Sequence, residues 1–297
     1  MEHKFIYYKL SSLHGTIMHF YHFFYGVFIP IILEYTEQSK KYKNLTFIIS
    51  NDLGPMLVRL LELPIDIKLK QYLTNYNELK VEEKYLSPMD IHPTSNSRDM
   101  ELLKKNWAQE LTLDKYMEIN KYMNDCVRID NVLLNKNIFY DIVIIERKAN
   151  KSFGSIYYKK DYTPLYGNKI TSSGSERRSI VNHEEIVKFI KRTYPKKKII
   201  NVSLEFMPIF SQYQLIHNAS MVIAQHGAGL GLIVFMKPTA KIIEIVSMEK
   251  IETGENWFPP ISKVCGIDHY QYVTKREHAL IKFERFKKFL TLNNLLL

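Results

Sequence analysis

A chain of 297 residues is long enough for two compact units of ordinary size. Hydrophobic residues make up 46% and charged residues 24%, which excludes a disordered, collagen-like or coiled-coil protein. The 41 Lys and Arg against 31 Asp and Glu leave a formal net charge of +10, the balance of a protein that meets an anion, whether a phosphorylated small molecule, a membrane headgroup or a nucleic acid. Two cysteines, Cys126 and Cys265, exclude a disulfide framework and read as reduced, buried thiols.

The chain opens on Met1 to Lys4 and a Tyr-rich apolar run, without the basic region and plain hydrophobic core of a secretory signal. Ile17–Leu33 is the most apolar stretch, but it is interrupted by His19, His22, Gly26 and Pro30 and falls short of the roughly 20 residues that span a bilayer. It reads as a buried helix, and the expectation is a cytoplasmic or otherwise soluble protein with no anchor. The glycosylation patterns at Asn44, Asn201 and Asn218 then count as chance.

Strand-like Phe5–Leu10, helix-like Ile17–Glu34, strand-like Leu45–Ser50 ending in Asn51 and Asp52, and a short helix at Leu57–Glu62 have the alternation of a parallel α/β unit. Lys68–Leu86 is polar with Tyr interleaved, Ser87–Arg98 is a Pro-containing loop, and Leu102–Tyr122 has a helical pattern. A bridge at Asn124–Asn137 places a domain boundary near residue 130.

The second half begins with Phe139–Ile145, an apolar run broken only by Asp141 and suited to a strand buried on both faces. A loop follows over Lys148–Gly174. Asn182 reads as the N-cap of a helix with Glu184 and Glu185 in its first turn, running to Arg192. Strand Lys198–Val202, helix Ile209–Asn218, strand Met221–Gln225, turn His226–Gly229, helix Leu230–Met236 and strand Lys241–Val246 complete a doubly wound sheet. Ligands of such sheets bind beyond the carboxyl ends of the strands. After a loop at Met248–Pro260, a helix is expected over Lys275–Leu290.

The sharpest local feature is Ala224–Leu230, where a buried strand ends, Gly227 and Gly229 let the backbone approach something closely, and a helix begins. Amide groups at a helix amino end favour an anion, and His226 beside them offers a hydrogen bond to a phosphate oxygen. The residues alone leave a second reading open, a tight strand–helix turn with a histidine satisfied inside the loop.

Gln225 to Leu230, followed by Phe235 to Pro238 and Ile242 to Ile245, resembles the donor-site signature of glycosyltransferase family 61. Arg178 to Glu185 is similar to that family's Arg-x-Ile-x-Asn-x-Glu segment, and Arg147 matches an arginine upstream of it. Phe210 to Ser220 resembles the helix before the signature, and His22 to Pro30 the family's early His-aromatic helix. The family often has an acidic residue four positions after that histidine, where this chain has Gly26.

The resemblance implies an α/β protein of GT-B architecture, two Rossmann-like domains facing a cleft. Residues 1–130 would bind the acceptor, 131–270 the nucleotide sugar, and 271–297 would form a C-terminal helix packing across both. It implies an inverting transfer from a UDP-sugar to a glycan hydroxyl with a β-linkage, xylose favoured and N-acetylglucosamine next. The donor is a substrate, and no separate cofactor is implied. Arg147, Arg178, Asn182, His226, Gly227, Ala228 and Gly229 would hold the diphosphate. This suits the chemistry, because a guanidinium donates bidentately to phosphate oxygens while charge grows on the leaving group. Glu244 reads either as an acceptor for ribose hydroxyls or as a carboxylate in a surface ion pair. Inversion needs a general base for the acceptor, and His22 is the first candidate, Asp52 the second. No Asp-x-Asp motif appears and His19 with His22 lacks a third ligand, so no metal site is expected. An anchorless, Lys- and Asn-rich member suits a large DNA virus or a bacterium.

Gly26 keeps a competing reading open, a noncatalytic nucleotide- or glycan-binding module that retains the fold. Lys191, Arg192 and Lys196 to Lys198 read as a solvated helix end, and no aromatic-basic motif supports a nucleic-acid partner. The apolar face of the last helix (Leu280, Phe283, Phe286, Leu290) reads as core packing, with interfacial membrane contact as the less favoured use.

Overall fold

Two all-parallel sheets organise the chain, which divides into units at Met1–Leu134 and Asn135–Leu297. The computed structural model describes residues 3–10, 24–49, 69–71, 81–86, 112–129, 139–148, 178–204, 207, 209–254 and 256–296. His22, Asp52, the helix read at Leu57–Glu62 and loop residues 149–174 lie outside the described residues.

In the first unit, β1 (His3–Leu10), β2 (Asn44–Ile49), β3 (Leu69–Gln71) and β4 (Val81–Leu86) form one sheet in the order β3-β2-β1-β4. Helix α1 (Ile29–Gln38) continues a π-helical turn at Phe24–Phe28. The change of winding falls at Pro30, which has no N–H to give to the turn before it. Phe24, Phe28, Ile29 and Ile32 bury against this unit's core with Ile6, Phe47 and Ile48, and α2 (Leu113–Ile129) adds Tyr116 and Ile119. The polar segment 68–86 therefore contains two strands. Charged β4 pairs in parallel with β1, and an ion pair of Lys4 with Glu82 links the two strands.

The second unit holds a five-stranded sheet in the order β10-β9-β8-β5-β7, built from β5 (Ile142–Ile145), β7 (Ile199–Val202), β8 (Met221–Gln225), β9 (Lys241–Ser247) and β10 (Asp268–Thr274). The protein is thus a mixed α/β chain. Helix α3 (His183–Thr193) buries His183, Ile186, Val187 and Ile190 at helical spacing. Its acidic first turn and basic last turn complement the helix dipole. Helix α4 (Ile209–Asn218) connects β7 to β8, and a 3-10 helix at Ala228–Phe235 connects β8 to β9. Short helices α5 (Met248–Glu252) and α6 (Phe258–Val264) lead into β10.

The C-terminal segment departs from the single helix expected over Lys275–Leu290. A short strand, β11 (His278–Ala279), pairs in parallel with β6 (Ser179–Ile180), and only then does α7 (Phe283–Leu292) begin. Apolar periodicity carries no trace of a backbone pairing made a hundred residues away, so the sequence pattern starts the helix too early. Phe286 and Leu290 of α7 enter the core of the second unit, where Tyr272 meets the Phe286 ring edge-on at 5.1 Å. Among the described residues no helix is long and apolar enough to cross a membrane.

Cys265 is fully buried, and burial pushes its thiol well above the ordinary range. Iodoacetamide should therefore leave Cys265 unmodified in the folded protein and label it in denaturant, as peptide mass spectrometry would read.

Candidate functional site

The strand order locates the site. The chain runs from β5 outward to β7 and then returns to the other side of β5 to lay down β8, so the order reverses between β5 and β8. Loops diverge at such a point and leave a crevice beyond the carboxyl ends. Arg147 follows β5 there, and His226 with Gly227 follows β8.

Two guanidinium groups converge on one atom of that crevice. Arg178 Nη1 donates to the His226 carbonyl at 2.9 Å, and Arg147 Nη1 donates to the same oxygen at 3.5 Å. Arg147 comes this close because Gly227 has no side chain, since a Cβ there would stand 2.0 Å from Arg147 Nη1. Gly229 serves packing, with Leu204 and Ile145 against the place where its Cβ would be. Ala228 opens the 3-10 helix, whose first amide groups lack partners within the helix. Like charges gathered at one oxygen repel, and an anion bound by both relieves that repulsion.

Arg178 is 7% exposed and is set in place by the β6–β11 pairing, in which Ser179 donates its N–H to the Glu277 carbonyl. That register puts Arg178 Nε 3.3 Å from Glu277 Oε1, with Lys250 Nζ 3.7 Å from the same oxygen. Glu184 and Glu185, in the first turn of α3, stand exposed.

Glu244 is neither a surface ion pair nor open to solvent. Its side chain is 0% exposed and accepts from His226 Nδ1 at 2.6 Å, His269 Nε2 at 2.9 Å and Gln271 Nε2 at 2.7 Å. Burial alone would raise its pKa, but the hydrogen bonds and charge of His226 and His269 outweigh it and hold the carboxyl at about 2. An ionised carboxylate only accepts, so the protons facing it sit on His226 Nδ1 and His269 Nε2. The carboxyl lies below its ordinary 4.5, so its contribution is complete above that value and is lost as pH falls toward 2. A plot of melting temperature against pH should show an acid limb over this window that shrinks in Glu244→Gln.

Asn182 stands at the N-cap position of α3 but makes no capping hydrogen bond. Its amide instead clasps Ile281, donating to the carbonyl at 2.9 Å and accepting from the N–H at 3.0 Å. Asn182 thus ties the start of α3 to the approach of α7. On the other flank, His183 Nε2 donates to Asn201 Oδ1 at 2.8 Å, and Asn201 Nδ2 donates to Glu146 Oε2 at 3.1 Å. Glu146, Arg147, Ser179, His183 and Gln225 line a small cleft of about 40 Å³. Glu277, His269 and Gln271 escaped the sequence reading. The alternation of His269 and Gln271 was the one available signal, since it puts two polar side chains on one face of a strand.

A family model described as Glycosyltransferase 61 matches residues 20–243. The chain belongs to glycosyltransferase family 61. No individually curated protein matched the sequence. Membership in family 61 makes the protein a transferase that binds a sugar donor and an acceptor. The matched span of this family 61 enzyme contains Arg147, Arg178 and His226 to Gly229, as well as His22 and Asp52, and it stops one residue before Glu244.

Proposed function

We propose that this glycosyltransferase takes a sugar from a UDP-sugar and inverts its anomeric configuration, forming a β-linkage on a glycan hydroxyl. One observation carries the reading, the convergence of Arg147 and Arg178 on the His226 carbonyl beside Gly227. As the bond between the anomeric carbon and the diphosphate oxygen breaks, negative charge grows on the diphosphate. Guanidinium forks held in advance stabilise that charge more in the transition state than in the ground state. The acceptor oxygen attacks the anomeric carbon from the opposite face, its proton passes to a general base, and UDP departs. His22, then Asp52, are the candidates for that base.

The two units would be the lobes of a GT-B enzyme, with the donor on the second and the acceptor on the first. The guanidinium pair supplies the positive charge that a divalent cation provides in other transferases, so turnover should persist in EDTA. Xylose is the favoured sugar and N-acetylglucosamine the next. Calorimetric titration with UDP, UDP-xylose and UDP-N-acetylglucosamine tests the donor class, and a folded protein that binds none of them overturns it.

Gly26 favours a second reading, a nucleotide- or glycan-binding module without turnover. Donor binding with no product across several acceptors would support that module instead.

A further inference from the structure

The donor turn is anchored from behind by a charge that solvent does not reach. Glu244 lies opposite Ala224 of β8 and Gln271 of β10 in the sheet register. A carboxylate taken out of water costs several kcal/mol unless its lone pairs are filled. Here His226 takes Oε1, while His269 and Gln271 share Oε2. The second layer is also braced. Ser262 Oγ of α6 stands 2.7 Å from His269 Nδ1, and Gln271 Nε2 also donates to Asn256 Oδ1 at 2.8 Å. Phe258 closes the remaining side, its ring 5.2 Å from the His226 imidazole.

His226 is therefore gripped by its side chain on one side and grips both guanidiniums by its main chain on the other. Its imidazole is only 7% exposed, whereas its carbonyl is the atom on which Arg147 and Arg178 meet. We propose that Glu244, His269 and Gln271 are positioning residues that pin the His226 side chain, fix its carbonyl as the common anchor of Arg147 and Arg178, and so preset both forks for the donor diphosphate. The inference rests on the diphosphate reading above. It replaces direct contact between Glu244 and the ribose, because both carboxylate oxygens are taken and neither is reached by solvent. Holding the forks in advance removes the ordering cost that two long cationic side chains otherwise pay on binding.

The test compares UDP with 2′-deoxy-UDP on wild type, Glu244→Gln and Gln271→Leu. Melting temperature and the Arg178 Nε–H resonance are followed in the ligand-free protein. Loss of preset forks should weaken both nucleotides by the same factor, about tenfold for Glu244→Gln, as for one lost charge-assisted hydrogen bond. The ratio of the two affinities should stay at its wild-type value, the Arg178 resonance should move, and the loss should shrink in an Arg178→Lys background. A ratio that collapses to one in Glu244→Gln would instead show direct ribose contact. An unmoved Arg178 resonance with unchanged affinity would reduce the network to ordinary core support. Either result overturns the inference. Gln271→Leu removes one donor of three and carries the comparison should Glu244→Gln not fold. If the wild type binds no UDP, the donor reading falls, while the arginine spectrum still decides the positioning claim.

Discussion

Arg178→Lys should weaken UDP binding roughly tenfold to a hundredfold, the span expected when a hydrogen bond between charged groups is lost at about 1.5–3 kcal/mol. Lysine keeps one positive charge but has no fork, so it cannot hold the His226 carbonyl, face Glu277 and reach a phosphate oxygen together. Turnover should fall further than affinity, because the diphosphate carries more charge in the transition state than in the bound donor. Glu277 is only half-buried and retains Lys250 at 3.7 Å, so its carboxylate is not stranded and the protein should still fold. Measuring melting temperature and UDP affinity on one sample separates the two effects. Unchanged affinity with a lowered melting temperature would take Arg178 out of the donor site and leave it as the bracket between β6 and β11.

Gly227→Ala should lose UDP affinity on the same tenfold to hundredfold scale and also lower melting temperature, because φ of 158° with extended ψ is a conformation that side chains rarely adopt. The new methyl carbon would lie 2.0 Å from Arg147 Nη1 and 3.2 Å from its Cζ. Both atoms belong to the far end of a flexible side chain, so Arg147 can move aside, and the cost to stability comes from the backbone at Gly227. What is lost is its bond to the His226 carbonyl, and with it half of the guanidinium pair. In an Arg147→Ala background the same glycine substitution should therefore add almost nothing, a non-additivity expected of groups that act as one. Gly229→Ala differs in cause, acting through side-chain packing rather than through Arg147 or the backbone. Its Cβ would press on Leu204 Cδ1 at 3.3 Å and stand 3.9 Å from Ile145 Cγ2, so it should lower melting temperature. Equal affinity losses in Gly227→Ala with and without Arg147 would sink this explanation.

Much of the second unit was legible in the sequence. Apolar runs such as Ile142–Ile145 and residues 221–224 mark strands covered on both faces, and their alternation with amphipathic α3 points to a parallel sheet. The two glycines after β8 were visible as a place where the backbone must admit a neighbour, and the sequence named Arg147, Arg178 and His226 as its companions. It did so by residue type and position along the chain, without distances.

The roles within that group belong to the tertiary structure. Glu277 reaches Arg178 only because β11 pairs with β6 across a hundred residues, and nothing local to Arg276–His278 announces a strand. Glu244 looked like an acceptor at the mouth of the crevice, yet the register of β9 against β10 turns it inward to two histidines and a glutamine. Asn182 read as a helix cap, yet its amide is spent on Ile281. Local composition determines which strands and helices form and which residues can carry charge or admit close approach, since those properties reside in the residues and their spacing. Which charge meets which partner, and whether it faces solvent or the core, is decided by long-range pairing, because one step of register between strands reverses every side chain on them.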